Sequence, residues 1–234
     1  MIKLSDRLKM IADEIEKGER MCDVGTDHGF LPIYLWERGI SPHVIMADVS
    51  RGSLDKARDN CLMYYPSETF DLRLGDGLAV LKKGEVEAVA IAGMGGILMT
   101  EIMSAHPEVT ESISKFILQP RSAAGKLRHW LLHNGFIISN DQLVREGKFI
   151  CNVITAVHGE YENKEVLALD EEDIRLEVPF WHEKDELTRE FIKRRIRQEM
   201  DVLEGLSKAG EQWKDKIEKT KKDIEYLEGL YEAI

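Results

Sequence analysis

The stretch Met21-Cys-Asp-Val-Gly-Thr-Asp-His-Gly-Phe30 decides how the chain is read. It opens as an apolar strand and turns at Gly25, which is how a doubly wound α/β sheet begins its ligand-binding crevice. A dinucleotide fingerprint would continue G-x-G-x-x-G. Here Asp27 occupies the second glycine's place and Phe30 the third's. A carboxylate in that turn repels a pyrophosphate, and no G-K-[ST] follows to make a P-loop. The turn therefore suits a ligand without phosphates and with a positive centre, a description that S-adenosylmethionine meets.

Outward from this turn, short apolar runs alternate with helical patterns to about residue 158. Residues 4–16 predict an amphipathic helix, with Leu4, Leu8, Ile11 and Ile15 on one face. Strands are expected in RMCDV, HVIMADV, FDLRLGDG, VEAVAIAGMGG and SKFILQP, with helices between them, the one after VEAVAIAGMGG ended by Pro107. The stretch from Phe136 to Gly159 then reads as two strands turning at Glu146-Gly147. Strand–helix alternation gives a parallel sheet with right-handed crossovers. The expected fold is a seven-stranded, Rossmann-like α/β sheet ending in an antiparallel hairpin, over residues 1–160. Residues 161–182, acidic and carrying Pro179, read as a connector with room for a short helix. Residues 183–234 read as two helices turned at Gly210 and packed as an antiparallel coiled-coil hairpin. Ile217, Thr220, Ile224, Leu227, Tyr231 and Ile234 mark one heptad seam, and Ile192, Ile196, Met200, Leu203 and Leu206 the other. Such a seam can be satisfied within one chain or between two, so it leaves the oligomeric state open.

Each loop after a strand carries glycine or a carboxylate, and ligands bind at that edge of an open sheet. Asp48, after the second strand, suits both ribose hydroxyls, while Ser50 can cap the next helix. Asp76, between Gly75 and Gly77, suits the adenine amino group; the alternative is a turn aspartate bonded to its own backbone. Ala92-Gly-Met-Gly-Gly96 opens a helix and lets a ligand lie against backbone; close packing of helix on strand is the alternative.

The net charge of −11 argues against general nucleic-acid affinity, yet it permits a local basic patch. Lys193, Arg194, Arg195 and Arg197 form one. They read either as a phosphate-contacting surface or as a solvated helix face paired with Glu190 and Glu199. Through residue 180 there are 20 basic and 29 acidic residues, against 12 and 14 beyond it, so the helical tail is the more nearly neutral part. Three scattered cysteines, Cys22, Cys61 and Cys151, exclude a disulfide framework, and Cys22 and Cys151 are expected in the core. No apolar run approaches ~18 residues, and the charged N-terminus lacks a secretory leader's apolar region. A cytoplasmic protein without membrane contact is the expectation. His129 and His133, four apart on one helix, lack a third ligand nearby and read as surface residues, so no metal is expected.

LSDRL, DVGTDHGFLP, GDGL, IAGMGG and ILQPR together resemble the bacterial TrmK-type methyltransferases, along essentially the whole chain. The resemblance implies a class I S-adenosylmethionine-dependent methyltransferase fold with a C-terminal coiled-coil domain. It also implies methyl transfer to N1 of adenine 22 in tRNA. It places Asp27 close to the reacting base, as the expected catalytic residue, and Arg7 near the cofactor. The expected cofactor residues are Arg7, Asp23, Gly25, Thr26, His28, Gly29, Asp48, Val49, Ser50, Gly75, Asp76, Gly77, Ala92, Gly93 and Met94. The expected tRNA contacts are Gly95, Gly96, Arg121, Lys193, Arg194, Arg195 and Arg197. The AGMGG turn lacks the D/N-P-P-Y sequence of exocyclic-amine methyltransferases, which agrees with a ring nitrogen as nucleophile.

Overall fold

A computed structural model describes residues 1–180 and 184–234 of the chain. It divides into two compact units, Met1–Pro179 and Phe180–Ile234. The expected boundary between connector and tail, at 182/183, lies outside the described residues.

The first unit runs α1 (Asp6–Asp13), β1 (Met21–Val24), α2 (Phe30–Glu37), β2 (Val44–Asp48), α3 (Arg51–Tyr64), β3 (Asp71–Leu74), β4 (Ala88–Gly95), α4 (Gly96–Ala105), α5 (Pro107–Thr110), β5 (Lys115–Ser122), α6 (Ala124–His133), β6 (Phe136–Glu146), β7 (Phe149–His158) and α7 (Lys164–Leu167). The seven strands lie in the order β3-β2-β1-β4-β5-β7-β6. The five outer-to-central strands from β3 to β5 are parallel, and β7 runs antiparallel to both β5 and β6. β1 sits where the chain, having moved out to β2 and β3, jumps back to β4. That switch opens a crevice at the carboxyl ends of β1 and β4.

Local chemistry explains the elements. β1 and the first half of β4 are buried throughout, as strands covered by helices on both faces must be. The LSDRL stretch starts α1 because the Ser5 hydroxyl caps Leu8 N–H and Asp6 sits in the first turn. Ile11 and Ala12 of α1, and Ile15 just beyond it, pack with Met21, Ala90, Ile117, Val144 and Val153, so the helix covers the sheet from β1 to the hairpin. Pro107 does more than end a helix. α4 stops at Ala105, and Pro107 then occupies the first turn of α5, where its missing N–H costs nothing. Cys22 and Cys61 are buried thiols, whereas Cys151, expected in the core, is half-buried.

The expected connector is largely part of the first unit. Leu169, Ile174, Leu176 and Val178 are buried, and Ile174–Glu177 forms a 3-10 turn. Arg128 of α6 holds it there. Its guanidinium, fully buried, pairs with Asp141 of β6 through Nε (2.9 Å) and Nη2 (2.8 Å) and also bonds Asn152 of β7 and the Leu176 carbonyl. Four segments distant in sequence thus meet at one charge. In the second unit, α8 (Glu186–Ala209) and α9 (Lys214–Ala233) pack antiparallel. Lys184, just before α8, bonds the Ala233 carbonyl at the end of α9, and the Arg189 guanidinium lies 5.3 Å from the Tyr231 ring. All six seam positions of α9 are buried or half-buried, but Met200 of α8 is 54% exposed and stands off the expected seam.

Removing one partner of a buried ion pair strands the other charge, at about 3–5 kcal/mol. Asp141→Asn should lower the stability of the first unit by that order, read as a fall in the urea midpoint; an unchanged midpoint would show that Arg128 does not hold the four segments together.

Candidate active site

The crevice is built from the four loops that leave β1, β2, β3 and β4. At the end of β1, Asp23 is 9% exposed. Burial pushes its carboxyl up to about 6; the nearby Thr26 hydroxyl and Arg7 pull the other way, and Asp48 adds to the rise. Thr26 itself is buried, with its hydroxyl beside the Asp23 carboxyl. Gly25 follows with φ +82°, and a side chain there would collide with Met94 Cε, so the β4 loop closes directly over the β1 turn. Gly29, also at positive φ, starts α2.

Asp27 projects into solvent from this turn. Its carboxylate bonds the Lys56 ammonium at 2.8 Å and lies 3.1 Å from His28 Nε2. The Lys56 contact holds the Asp27 carboxyl below the usual carboxylate range, slight burial opposes this, and His28 adds to the lowering. The His28 ring stacks on Phe30 at 5.4 Å, and its backbone carbonyl accepts from Asn60. Lys56 and Asn60 both come from α3, so that helix fixes the acidic turn.

At the end of β2, one Asp48 oxygen accepts from Ser50 N–H at 2.7 Å, and Ser50 caps α3 through Ser53 N–H. The capping role therefore falls to Ser50 and not to Asp48. Asp76 makes no capping bond to its own turn, which leaves its carboxylate available. Val49 and Leu74, at the ends of β2 and β3, are 66% and 49% exposed. Two large apolar side chains bare at a sheet edge between two acids suit the faces of a purine.

In the β4 loop Gly93 has φ +79°, and Arg121 Nε of β5 lies 3.8 Å from where its Cβ would stand. Ala92, Met94 and Gly95 are half-buried along the crevice. Gly96 is different. It is buried, and a side chain there would strike the Ala123 carbonyl, so close packing of α4 on the β5–α6 turn accounts for it rather than the substrate contact expected. Gly77 is likewise buried, against Ile102.

The basic patch lies on α8. Arg194 pairs with Glu190 and Arg195 with Glu199, while Lys193 and Arg197 are exposed. Arg189, Lys193, Arg194 and Arg197 line a cleft with Glu186, Glu190 and Tyr231. Among the described residues no His, Cys, Asp and Glu cluster has metal-site geometry. Both His133 ring nitrogens face carbonyls, those of His129 and Leu167.

Three site residues were not singled out from the sequence. Lys56 and Leu74 carry no local signal. Gln119, inside the quoted ILQPR, is buried, accepts from Arg7 Nη1 at 3.0 Å and donates to the Pro120 carbonyl. It fixes Arg7 at the crevice, together with Glu146 at 3.6 Å.

These features meet the demands of S-adenosylmethionine: a buried acid beside a buried hydroxyl, an arginine, a second acid for a ribose, and apolar flanks for adenine. Comparison with known proteins points the same way. A methyltransferase-domain family model matches residues 4–154. The tRNA (adenine(22)-N(1))-methyltransferase of Bacillus subtilis (strain 168) is 32% identical over 159 residues, 68% of this chain and 67% of that protein. The crystal structure of the B. subtilis m1A22 tRNA methyltransferase TrmK matches with a TM-score of 0.82 at 26% identity, covering 99% of this chain and 100% of that one. A putative tRNA (m1A22) methyltransferase of Streptococcus pneumoniae, solved in complex with S-adenosyl-L-methionine, matches with a TM-score of 0.79 at 26% identity over 95% of this chain and 100% of that one. The chain belongs to the methyltransferase-domain family and, within it, to the TrmK-type tRNA (adenine(22)-N(1))-methyltransferases.

Proposed function

We propose that this protein transfers a methyl group from S-adenosylmethionine to N1 of adenine 22 in bacterial tRNA, and that it works in the cytoplasm. The observation that carries the reaction is the row of carboxylates, Asp23, Asp48 and Asp76, along one edge of the sheet around glycine turns. The tRNA and the base come from the named relatives. S-adenosylmethionine supplies an electrophilic methyl group on a sulfonium.

The residues then have separate tasks. Asp23 faces the ammonium of the amino-acid tail and Arg7 its carboxylate, with the Thr26 hydroxyl beside Asp23. Asp48 accepts from the ribose, and Asp76 from the adenine amino group, between Val49 and Leu74. Adenine N1 carries an in-plane lone pair and needs no deprotonation before it attacks, so positioning is the main contribution. Methylation leaves the ring cationic. Asp27 is the catalytic residue: its carboxylate stabilises that charge as it develops or accepts the N6 proton afterwards. Lys56 keeps Asp27 ionised and marks where a second cation is received. Lys193 and Arg197, on the open side of α8, contact tRNA phosphates, whereas Arg194 and Arg195 are engaged with their own helix.

The test of the reaction is methyl transfer to an unmodified tRNA transcript, with the modified base mapped by the stop it imposes on reverse transcription. A stop at adenine 22 is expected; transfer to another RNA or to protein only would replace this reading. Asp27→Asn should cut turnover by about 10²-fold or more with little change in cofactor affinity. Because its carboxyl already sits below the usual range, Asp27 should produce no acid limb near neutral pH in the rate profile. Undiminished turnover would remove it from the mechanism. Lys193→Gln with Arg197→Gln should weaken tRNA binding and reduce the slope of log affinity against log salt by about 2, one per lost phosphate contact. An unchanged slope would move the phosphate contacts elsewhere.

A further inference from the structure

N1 lies on the Watson–Crick edge of adenine, so a base that is paired or stacked within folded RNA has to leave its stack before N1 can reach a methyl donor. The stacking lost on one side is regained on an aromatic surface wherever a protein offers one. Around the crevice, Val49 and Leu74 at strand ends and Ile97 and Leu98 in the first turn of α4 are exposed. The β6–β7 hairpin offers an aromatic. Phe149 is 60% exposed at its tip, and Lys148 Nζ lies 5.3 Å from the ring centroid.

The strand register puts this ring at the height of the active-site turn. Leu118 of β5 is level with Ile91 of β4 on one side and Ile154 of β7 on the other. From that level β4 climbs to Gly95, while the antiparallel β7, followed backwards, climbs to Phe149. At about 3.3 Å per residue the two stand roughly 13–17 Å above it, and two strand spacings of about 4.8 Å separate them laterally. Arg121 stands between them on β5, beside Gly93. Glu146 is the cross-strand partner of Phe149, and the Arg7 contact to Glu146 ties the hairpin tip to the crevice.

We propose that Phe149 is a positioning residue on which an unstacked base of the tRNA lies, beside the reacting adenine, with Arg121 and Lys148 neutralising the adjoining phosphates. An exposed aromatic ring with one cation over it, and a second on a nearby strand beside the crevice, is complementary to a base on its phosphate backbone. The proposal rests on tRNA being the substrate. It goes beyond that reading by giving the hairpin, which otherwise only helps hold Arg7 through Glu146, a part in presenting the base.

The test compares wild type with Phe149→Ala, Phe149→Leu and Phe149→Trp on one tRNA transcript, alongside calorimetric titration of S-adenosylhomocysteine. Phe149→Ala should lower kcat/KM by roughly tenfold or more, the scale of one lost base–aromatic stack. Phe149→Trp should restore it to within about threefold, Phe149→Leu should not, and all four proteins should bind the cofactor product equally. Full activity in Phe149→Ala would overturn the proposal while leaving the methyltransferase reading intact. Equal rescue by Leu and Trp would reduce Phe149 to an apolar contact and overturn it too. A wild-type protein inactive on the transcript would overturn both the substrate reading and this proposal.

Discussion

The Asp23 carboxylate lies near the end of β1, almost wholly out of water, with Arg7 acting on it through space and no ion pair between them. A carboxyl lifted from 3.8 to about 6 has an ionised state disfavoured by roughly 3 kcal/mol in the folded chain. The sign follows from linkage: the folded protein holds this proton more tightly than the unfolded one, so stability from this group declines as pH rises through about 4 to 6 and stays lower above that. A fold keeps such a charge where something else uses it. A cationic ligand offsets the penalty. The remaining site geometry is organised around this residue: Gly25 lets Met94 close over the turn, and Asp48 lies on the neighbouring strand.

The sheet makes that position possible. β1 lies between β2 and β4 at the reversal of strand order, so its end is flanked by loops rather than covered by a crossover. The hairpin extends the sheet on the β5 side, and α1 covers it while delivering Arg7 to the crevice through Gln119 and Glu146. Arg128 fastens the hairpin to the segment after it. Charged residues thus do two kinds of work here. Arg128 and Asp141 satisfy each other, whereas Asp23 has no ion-pair partner among the described residues.

The sequence made the strands and their order of function legible because both depend on local signals. Alternation of apolar runs with helical periods gives the sheet, and glycine or acid after each strand gives the crevice. What stayed hidden depends on side chains that meet only after folding. Lys56 reaches Asp27 across 29 residues, and Gln119 reaches Arg7 across 112. Nothing local distinguishes Lys56 from any other lysine on a helix surface. Leu74 reads as a strand residue and is bare only because β3 ends there. Gly96 looked like a ligand contact because the glycine run does not say which member touches ligand and which touches Ala123. The segment after residue 160 read as a connector because its acidic composition masks four apolar residues that pack on the first unit. In the basic patch both readings hold in part: the i, i+4 partners Glu190 and Glu199, legible in the sequence, engage Arg194 and Arg195, and Lys193 and Arg197 stay exposed.

If Asp23 is kept buried for a cationic cofactor, cofactor affinity must follow its ionisation. The most direct measurement is calorimetric titration of S-adenosylmethionine between pH 5 and 7, for the wild type and for Asp23→Asn. The affinity of the wild type should rise by about tenfold per pH unit below about 6 and level off above it, while Asp23→Asn binds more weakly at pH 7 and nearly independently of pH. A wild-type affinity that is flat across this range, or the same rise in Asp23→Asn, would contradict the account.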